Sequence, residues 1–132
     1  MTHPHRFDLR VYYEDTDLAG IVYYANYFKF IERARSEWVR ALGIDQLALK
    51  DQDGVVFAVR SLTADYISPA KFDDQLCVET TVITSSPARL VLAQDVLRND
   101  QPLFRSQVTL VAIGPNGAPT RLPRIMRDKL PI

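Results

Sequence analysis

The chain has 132 residues, with 16 Lys and Arg against 16 Asp and Glu, so its formal net charge is zero. Hydrophobic residues at 47% and charged residues at 24% fit one ordered globular domain and exclude wholesale disorder. A neutral chain lacks the basic field of a general nucleic-acid binder, and one cysteine rules out an intrachain disulfide framework or a Cys-rich zinc site.

Residues 6–13 (RFDLRVYY) alternate apolar and polar and predict a strand. A short acidic stretch with a glycine follows, from Glu14 to Gly20. From Ala25 to Leu42 the period changes. Tyr27, Ile31, Ala34, Trp38 and Ala41/Leu42 recur at three- and four-residue steps, which predicts an amphipathic helix of about five turns, with Gly43 as its stop. Glu32 with Arg35, and Glu37 with Arg40, are spaced to pair across one turn.

Four further strands are predicted at 55–67, 75–84, 89–98 and 103–113. Turn chemistry separates them: Ser68 to Asp74, Ser85-Ser86-Pro87-Ala88, Asn99-Asp100-Gln101-Pro102, and Gly114-Pro115-Asn116-Gly117 at the end. The short connections between the last three strands force antiparallel hairpins. The outline is an α+β domain spanning 1–132, with residues 1–5 and 125–132 expected as tails. One helix covers one sheet face only, and several strands are apolar on both faces, as at Leu90-Val91-Leu92. Pairing with a second copy would cover both the open face and the open edge. No window is apolar enough for a membrane span, and the N-terminus lacks the apolar core of a secretory signal, so a cytoplasmic location is expected.

The chemistry concentrates in Asp15-Thr16-Asp17-Leu18-Ala19-Gly20-Ile21-Val22-Tyr23-Tyr24-Ala25-Asn26-Tyr27. Two carboxylates stand between a strand and a helix start. Exposed N–H groups at such a start suit an oxyanion, and Gly20 permits close backbone approach to a ligand. A carboxylate plus backbone donors is equipment for acyl transfer. Asp is equally a turn or cap residue at such positions, so spacing alone leaves both readings open. Asp15 is expected to order the turn or its N–H groups, and Asn26 to cap the helix or organise the loop, with substrate contact the alternative. Tyr27, Phe28, Phe57, Val59 and Tyr66 are candidates for an apolar pocket, with plain core the alternative. Cys77 reads as a small half-buried thiol.

The run YYEDTDLAGIVYYANYFKFIERARSEW resembles the signature of hotdog-fold acyl-CoA thioesterases of the 4-hydroxybenzoyl-CoA thioesterase type. It is most similar to the bacterial subfamily associated with the Tol–Pal envelope system. VRSLTADYISPAKFDDQL, TLVAI and RLP extend the resemblance from Phe7 to Arg124. It implies one long central helix wrapped by a five-stranded antiparallel sheet, a homodimer, and a dimer of dimers. It implies hydrolysis of an acyl-CoA thioester, with Asp17 as general base or nucleophile and the backbone N–H of Tyr24, with the backbone at Gly20, as oxyanion donors. Lys71, in a loop, and Arg89, opening a strand, are candidates for the CoA phosphates, with a plain solvated charge the alternative, and an acyl carrier protein is a possible partner. The basic tail residues Arg121, Arg124, Arg127 and Lys129 could meet CoA or an acidic partner, or be solvated. No cofactor or metal is expected, CoA being part of the substrate. Many members of that subfamily carry His where this chain has Tyr24, so a proton-transfer role for that His is absent or altered here. A dehydratase on the same fold needs a His beside a carboxylate, and no His follows residue 5. A D-x-D phosphatase needs alternating strands and helices, which the pattern lacks. A non-catalytic acyl-carrier or envelope-complex module on the same fold is the remaining alternative.

Overall fold

A computed structural model describes residues 3–130. Strand β1 (His5–Arg10) leads through a 3-10 turn (Tyr13–Asp15) to helix α1 (Asn26–Ala41) and helix α2 (Gln46–Asp53). Strands β2 (Val56–Tyr66), β3 (Gln75–Ser85), β4 (Arg89–Arg98) and β5 (Gln101–Ile113) follow. A two-residue strand β6 (Pro119–Thr120) and a short helix α3 (Arg124–Lys129) end the fold. The long strands form one antiparallel sheet in the order β1-β3-β4-β5-β2, with β6 added beside β5. The α+β expectation and its five long strands are met. β6 is an addition, made possible by the tight turn in which the Gly114 N–H bonds to the Ala118 carbonyl at 2.8 Å.

α1 lies on one sheet face because its apolar stripe matches the inward residues of the strands. Phe30, Ile31 and Ala34 are fully buried with Val78, Val96, Phe104 and Val108. Fully burying one such large side chain is worth about 1.5–3 kcal/mol. Farther along, Trp38 and Val39 pack with Leu90, Leu92 and Leu110. Ala41, expected on the apolar stripe, is exposed. Register shifts between Val59 and Ser61 in β2 and between Val82 and Thr84 in β3 leave Arg60 and Ile83 as extra residues. Such bulges bend strands and let the sheet curve about the helix.

The helix–sheet interface also holds a polar network. Arg35 is buried, donates to Gln94 Oε1 at 2.7 Å and pairs with Glu32 at 2.6 Å. Gln94 Nε2 donates to the Ile31 carbonyl and to Thr80 Oγ1, both at 3.0 Å. The second expected helix pair, Glu37 with Arg40, is also formed.

Two segments depart from expectation. Residues 46–53, where the sequence pattern predicts no helix, form α2. Asp45 caps its start by accepting the Ala48 N–H at 3.1 Å, and Gly54 ends it in the left-handed region at φ 66°. The expected C-terminal tail folds back as α3, with Leu122 and Met126 buried among the residues of the Trp38 cluster. Lys129 Nζ donates to the Leu42 carbonyl at 2.8 Å, at the C-terminal end of α1 where a cation is favoured. At the N-terminus His5 already belongs to β1. The outermost two residues of each expected tail lie outside the described residues.

The two sheet edges differ in chemistry. β1 carries Arg6, Asp8 and Arg10, with Arg6 paired to Glu79 and Arg10 to Asp73. β2 instead exposes Val56, Val59 and Tyr66. The described residues contain no helix long and apolar enough to cross a membrane.

Candidate active site

The loop between β1 and α1 is held by one buried carboxylate. Asp15 is 5% exposed and accepts the Tyr12 backbone N–H and the Asn26 side-chain amide, each at 2.8 Å. The Asp15 carbonyl accepts the Tyr23 N–H at 2.8 Å. These bonds close residues 15–23 into a compact unit and fulfil the turn-ordering roles expected of Asp15 and Asn26.

Inside that unit lies a small hairpin. Thr16 bridges Val22, and the Asp17 N–H bonds to the Ile21 carbonyl at 3.0 Å. Gly20 makes the reversal with φ +80°, and nothing lies within 4 Å of where its Cβ would stand, so open space borders this backbone. A second bridge, Ile21 to Lys71, and the Val22 N–H on the Ala70 carbonyl at 2.8 Å pin the hairpin to the segment after β2. The Asp17 carboxylate is exposed. Its Oδ1 accepts the Ala19 N–H at 3.0 Å, while Oδ2 has no hydrogen-bond partner among the described residues.

The chain then enters α1 without a side-chain cap, since Ala25 occupies the N-cap position. Two consecutive peptide units precede the helix with their carbonyls engaged. The Tyr23 carbonyl accepts the Asn26 N–H, and the Tyr24 carbonyl accepts the Tyr66 hydroxyl, each at 2.8 Å. The N–H groups of the same two units, on Tyr24 and Ala25, have no acceptor among the described residues. The helix dipole adds positive potential at this place.

Beside the helix start is a cavity of about 250 Å³, lined by Ile21, Val22, Tyr27, Tyr66 and residues 67–69. Tyr27 is buried, stacks on Phe104 with centroids 4.9 Å apart, and accepts the Ala70 N–H on its hydroxyl at 3.1 Å. Burial pushes the Tyr27 and Tyr66 hydroxyls above their ordinary value, so both stay protonated and Tyr66 remains a donor at neutral pH.

The structure thus groups Asp17, Gly20, Tyr24, Tyr27 and Lys71 at one end of the molecule. It places Phe57 and Val59 elsewhere. They line a separate small cavity of about 70 Å³ with Glu32, Arg35 and Ser36, at the opposite end of β2. Arg89 opens β4 opposite Val111, also at that far end, and is exposed. Within the chain the predicted pocket residues are therefore split, because Phe57 and Tyr66 occupy opposite ends of one extended strand. The Ser68-Pro69 wall was missed, since a turn sequence carries no pocket signal. The described residues contain no group of three or more His, Cys, Asp or Glu side chains placed to hold a metal ion.

The sequence signature of the Thioesterase superfamily matches residues 19–104. The chain belongs to that superfamily. It is 41% identical over 107 residues to the acyl-CoA thioesterase YbgC of Haemophilus influenzae, covering 81% of this chain and 79% of that one. A probable thioesterase from Bartonella henselae superimposes with a TM-score of 0.87 at 34% identity, over 92% of this chain and all of that one. A 4-hydroxybenzoyl-CoA thioesterase variant, in complex with 4-hydroxybenzoyl-CoA, shares the fold with a TM-score of 0.88 at 21% identity, over 96% and 98% of the two chains. The fold is the hotdog fold of this superfamily, with α1 as the central helix.

Proposed function

We propose that this thioesterase-superfamily member hydrolyses an acyl-CoA thioester to a free acid and CoA. The observation that carries the reading is the pair of N–H groups on Tyr24 and Ala25, without an acceptor among the described residues, at an uncapped helix start beside an apolar cavity. Hydrolysis moves negative charge onto the carbonyl oxygen, and two adjacent donors at a helix start are suited to receive it. Each well-placed donor of this kind is worth about 3–4 kcal/mol in the transition state. The name of the Haemophilus relative supports acyl-CoA as substrate.

Asp17 is exposed and supplies the carboxylate, with Oδ2 unbonded among the described residues. As a general base it takes a proton from the water that attacks the thioester carbon, and the CoA thiolate leaves. As a nucleophile it forms a mixed anhydride that water then cleaves. A burst of thiol release ahead of free acid marks the anhydride route. The reaction draws on no cofactor or metal, because the thioester is already activated. The acyl group occupies the cavity walled by Tyr27 and Tyr66, and Lys71 and Arg89 receive the CoA phosphates.

The functional unit in this reading is a homodimer joined through β2, and two dimers can pair in turn. Antiparallel pairing of two β2 edges sets the Val56 end of one strand beside the Tyr66 end of the other. The Phe57, Val59 and Arg89 end of one protomer then lies alongside the Asp17 end of its partner, which reunites the split pocket. The exposed Val56, Val59 and Tyr66 support this edge over the charged β1. A panel of short aliphatic, long aliphatic and aromatic acyl-CoAs, followed by thiol release, tests the activity. Turnover of at least one class is expected, and no turnover of any class overturns the reading in favour of a non-catalytic module.

A further inference from the structure

We infer that Tyr66 is a positioning residue for the oxyanion donors, acting through its hydroxyl on the Tyr24 carbonyl. The Tyr66 hydroxyl donates to that carbonyl at 2.8 Å, across 42 residues of sequence. The carbonyl belongs to the same peptide unit as the Ala25 N–H. A donor on the oxygen of an amide draws electron density from its nitrogen and makes its N–H a stronger donor, as in any chain of coupled hydrogen bonds. The neighbouring unit is treated the same way from within the backbone, where Asn26 N–H bonds the Tyr23 carbonyl and polarises the Tyr24 N–H. Tyr66 thus supplies for Ala25 what the helix supplies for Tyr24.

The bond also fixes direction. Ala25 has no side chain able to cap the helix, and among the described residues the Tyr66 bond is the one hydrogen bond made by the Tyr24–Ala25 peptide unit. Tyr66 is held in turn by ring contacts to Tyr27 at 5.5 Å and to Phe104 at 5.1 Å. It sits at the end of β2, so the donor pair is anchored to a sheet strand rather than to its own loop. Its ring walls the cavity, and its hydroxyl serves the backbone.

The kinetic part of the test rests on the thioesterase reading, whereas the spectroscopic part does not. Tyr66→Phe keeps the ring and removes the hydroxyl. The expected result is a kcat lower by roughly five- to tenfold, below the hundredfold or more of losing a donor outright, with KM and thermal midpoint unchanged. In amide NMR spectra the Ala25 proton resonance is expected to move upfield as its N–H is depolarised. An unchanged kcat in a wild type that is active, or a raised KM with kcat kept, overturns the inference and leaves Tyr66 a wall only. An unmoved Ala25 resonance overturns it as well. If the wild type hydrolyses no acyl-CoA, the thioesterase reading fails and the Ala25 resonance alone decides the role of Tyr66.

Discussion

Asn26 donates its side-chain amide to the buried carboxylate of Asp15 at 2.8 Å, tying the first residue of α1 to the turn that precedes the hairpin. Among the described residues the carboxylate has no cationic partner and relies on this amide and the Tyr12 N–H. Its backbone carbonyl holds Tyr23, one residue before the open N–H of Tyr24. One polar pair therefore brackets the hairpin that carries Asp17 and the open N–H groups of Tyr24 and Ala25.

Asn26→Ala removes one of two donors from a buried carboxylate. A loss of about 1–3 kcal/mol is expected, read as a lower urea midpoint with unchanged slope, together with reduced turnover. Asn26→Asp faces two carboxylates at one place and is expected to be the less stable of the two variants.

Gln94 holds the buried end of the network beneath α1. Gln94→Leu leaves the Arg35 guanidinium short of an acceptor and the Ile31 carbonyl and Thr80 hydroxyl short of a donor. Arg35 keeps its pairing with Glu32, so the loss is one of buried hydrogen bonds, and a destabilisation of about 1–3 kcal/mol is expected in chemical unfolding. The double variant Arg35→Met, Gln94→Leu should recover part of it, because the buried guanidinium that lost its Gln94 acceptor is then gone.

Much of the architecture was legible because periodicity reports burial. The helix stripe through Tyr27, Ile31, Ala34 and Trp38, and the alternation in β3, β4 and β5, are direct images of contact with the core. α2 was not legible this way, since none of its residues is buried; its only signals were the caps Asp45 and Gly54. α3 read as a basic tail because Met126 gains its meaning only from distant partners such as Trp38 and Leu110. In the site, the Asp15–Asn26 pairing was within reach of local reasoning. The Tyr66–Tyr24 bond was not, as no local pattern links residues so far apart in sequence.

Asp95 tests the electrostatics of the outer sheet face. Burial pushes its carboxyl above the ordinary value of 3.8; Arg105, 3.9 Å away, pulls it down, and Glu79 pushes it up again. A raised carboxyl favours the fold most below its unfolded value and loses that contribution as pH rises through the folded one. Asp95→Asn is therefore expected to gain stability relative to wild type between pH 4 and pH 7. Thermal midpoints at the two values check the sign, and a relative loss at pH 7 contradicts it.

The β2 edge is expected to carry both assembly and activity. Val59→Asp places a charge on its exposed apolar surface, where Val59 is 44% exposed in the single chain. Light scattering should show a smaller species, and turnover should fall with it. A fully active monomer contradicts a site completed by the partner.

The central claim is that Asp17 delivers the oxygen nucleophile to a thioester held against the Tyr24 and Ala25 donors. Asp17→Asn keeps the size of the side chain and the Oδ1 that accepts the Ala19 N–H, and it removes only the carboxylate chemistry. Thiol release from the best acyl-CoA of the panel, compared between wild type and this variant at equal thermal midpoint, is the most direct test. A fall in kcat of about a hundredfold or more is expected, with KM little changed. Undiminished turnover by the folded variant contradicts it.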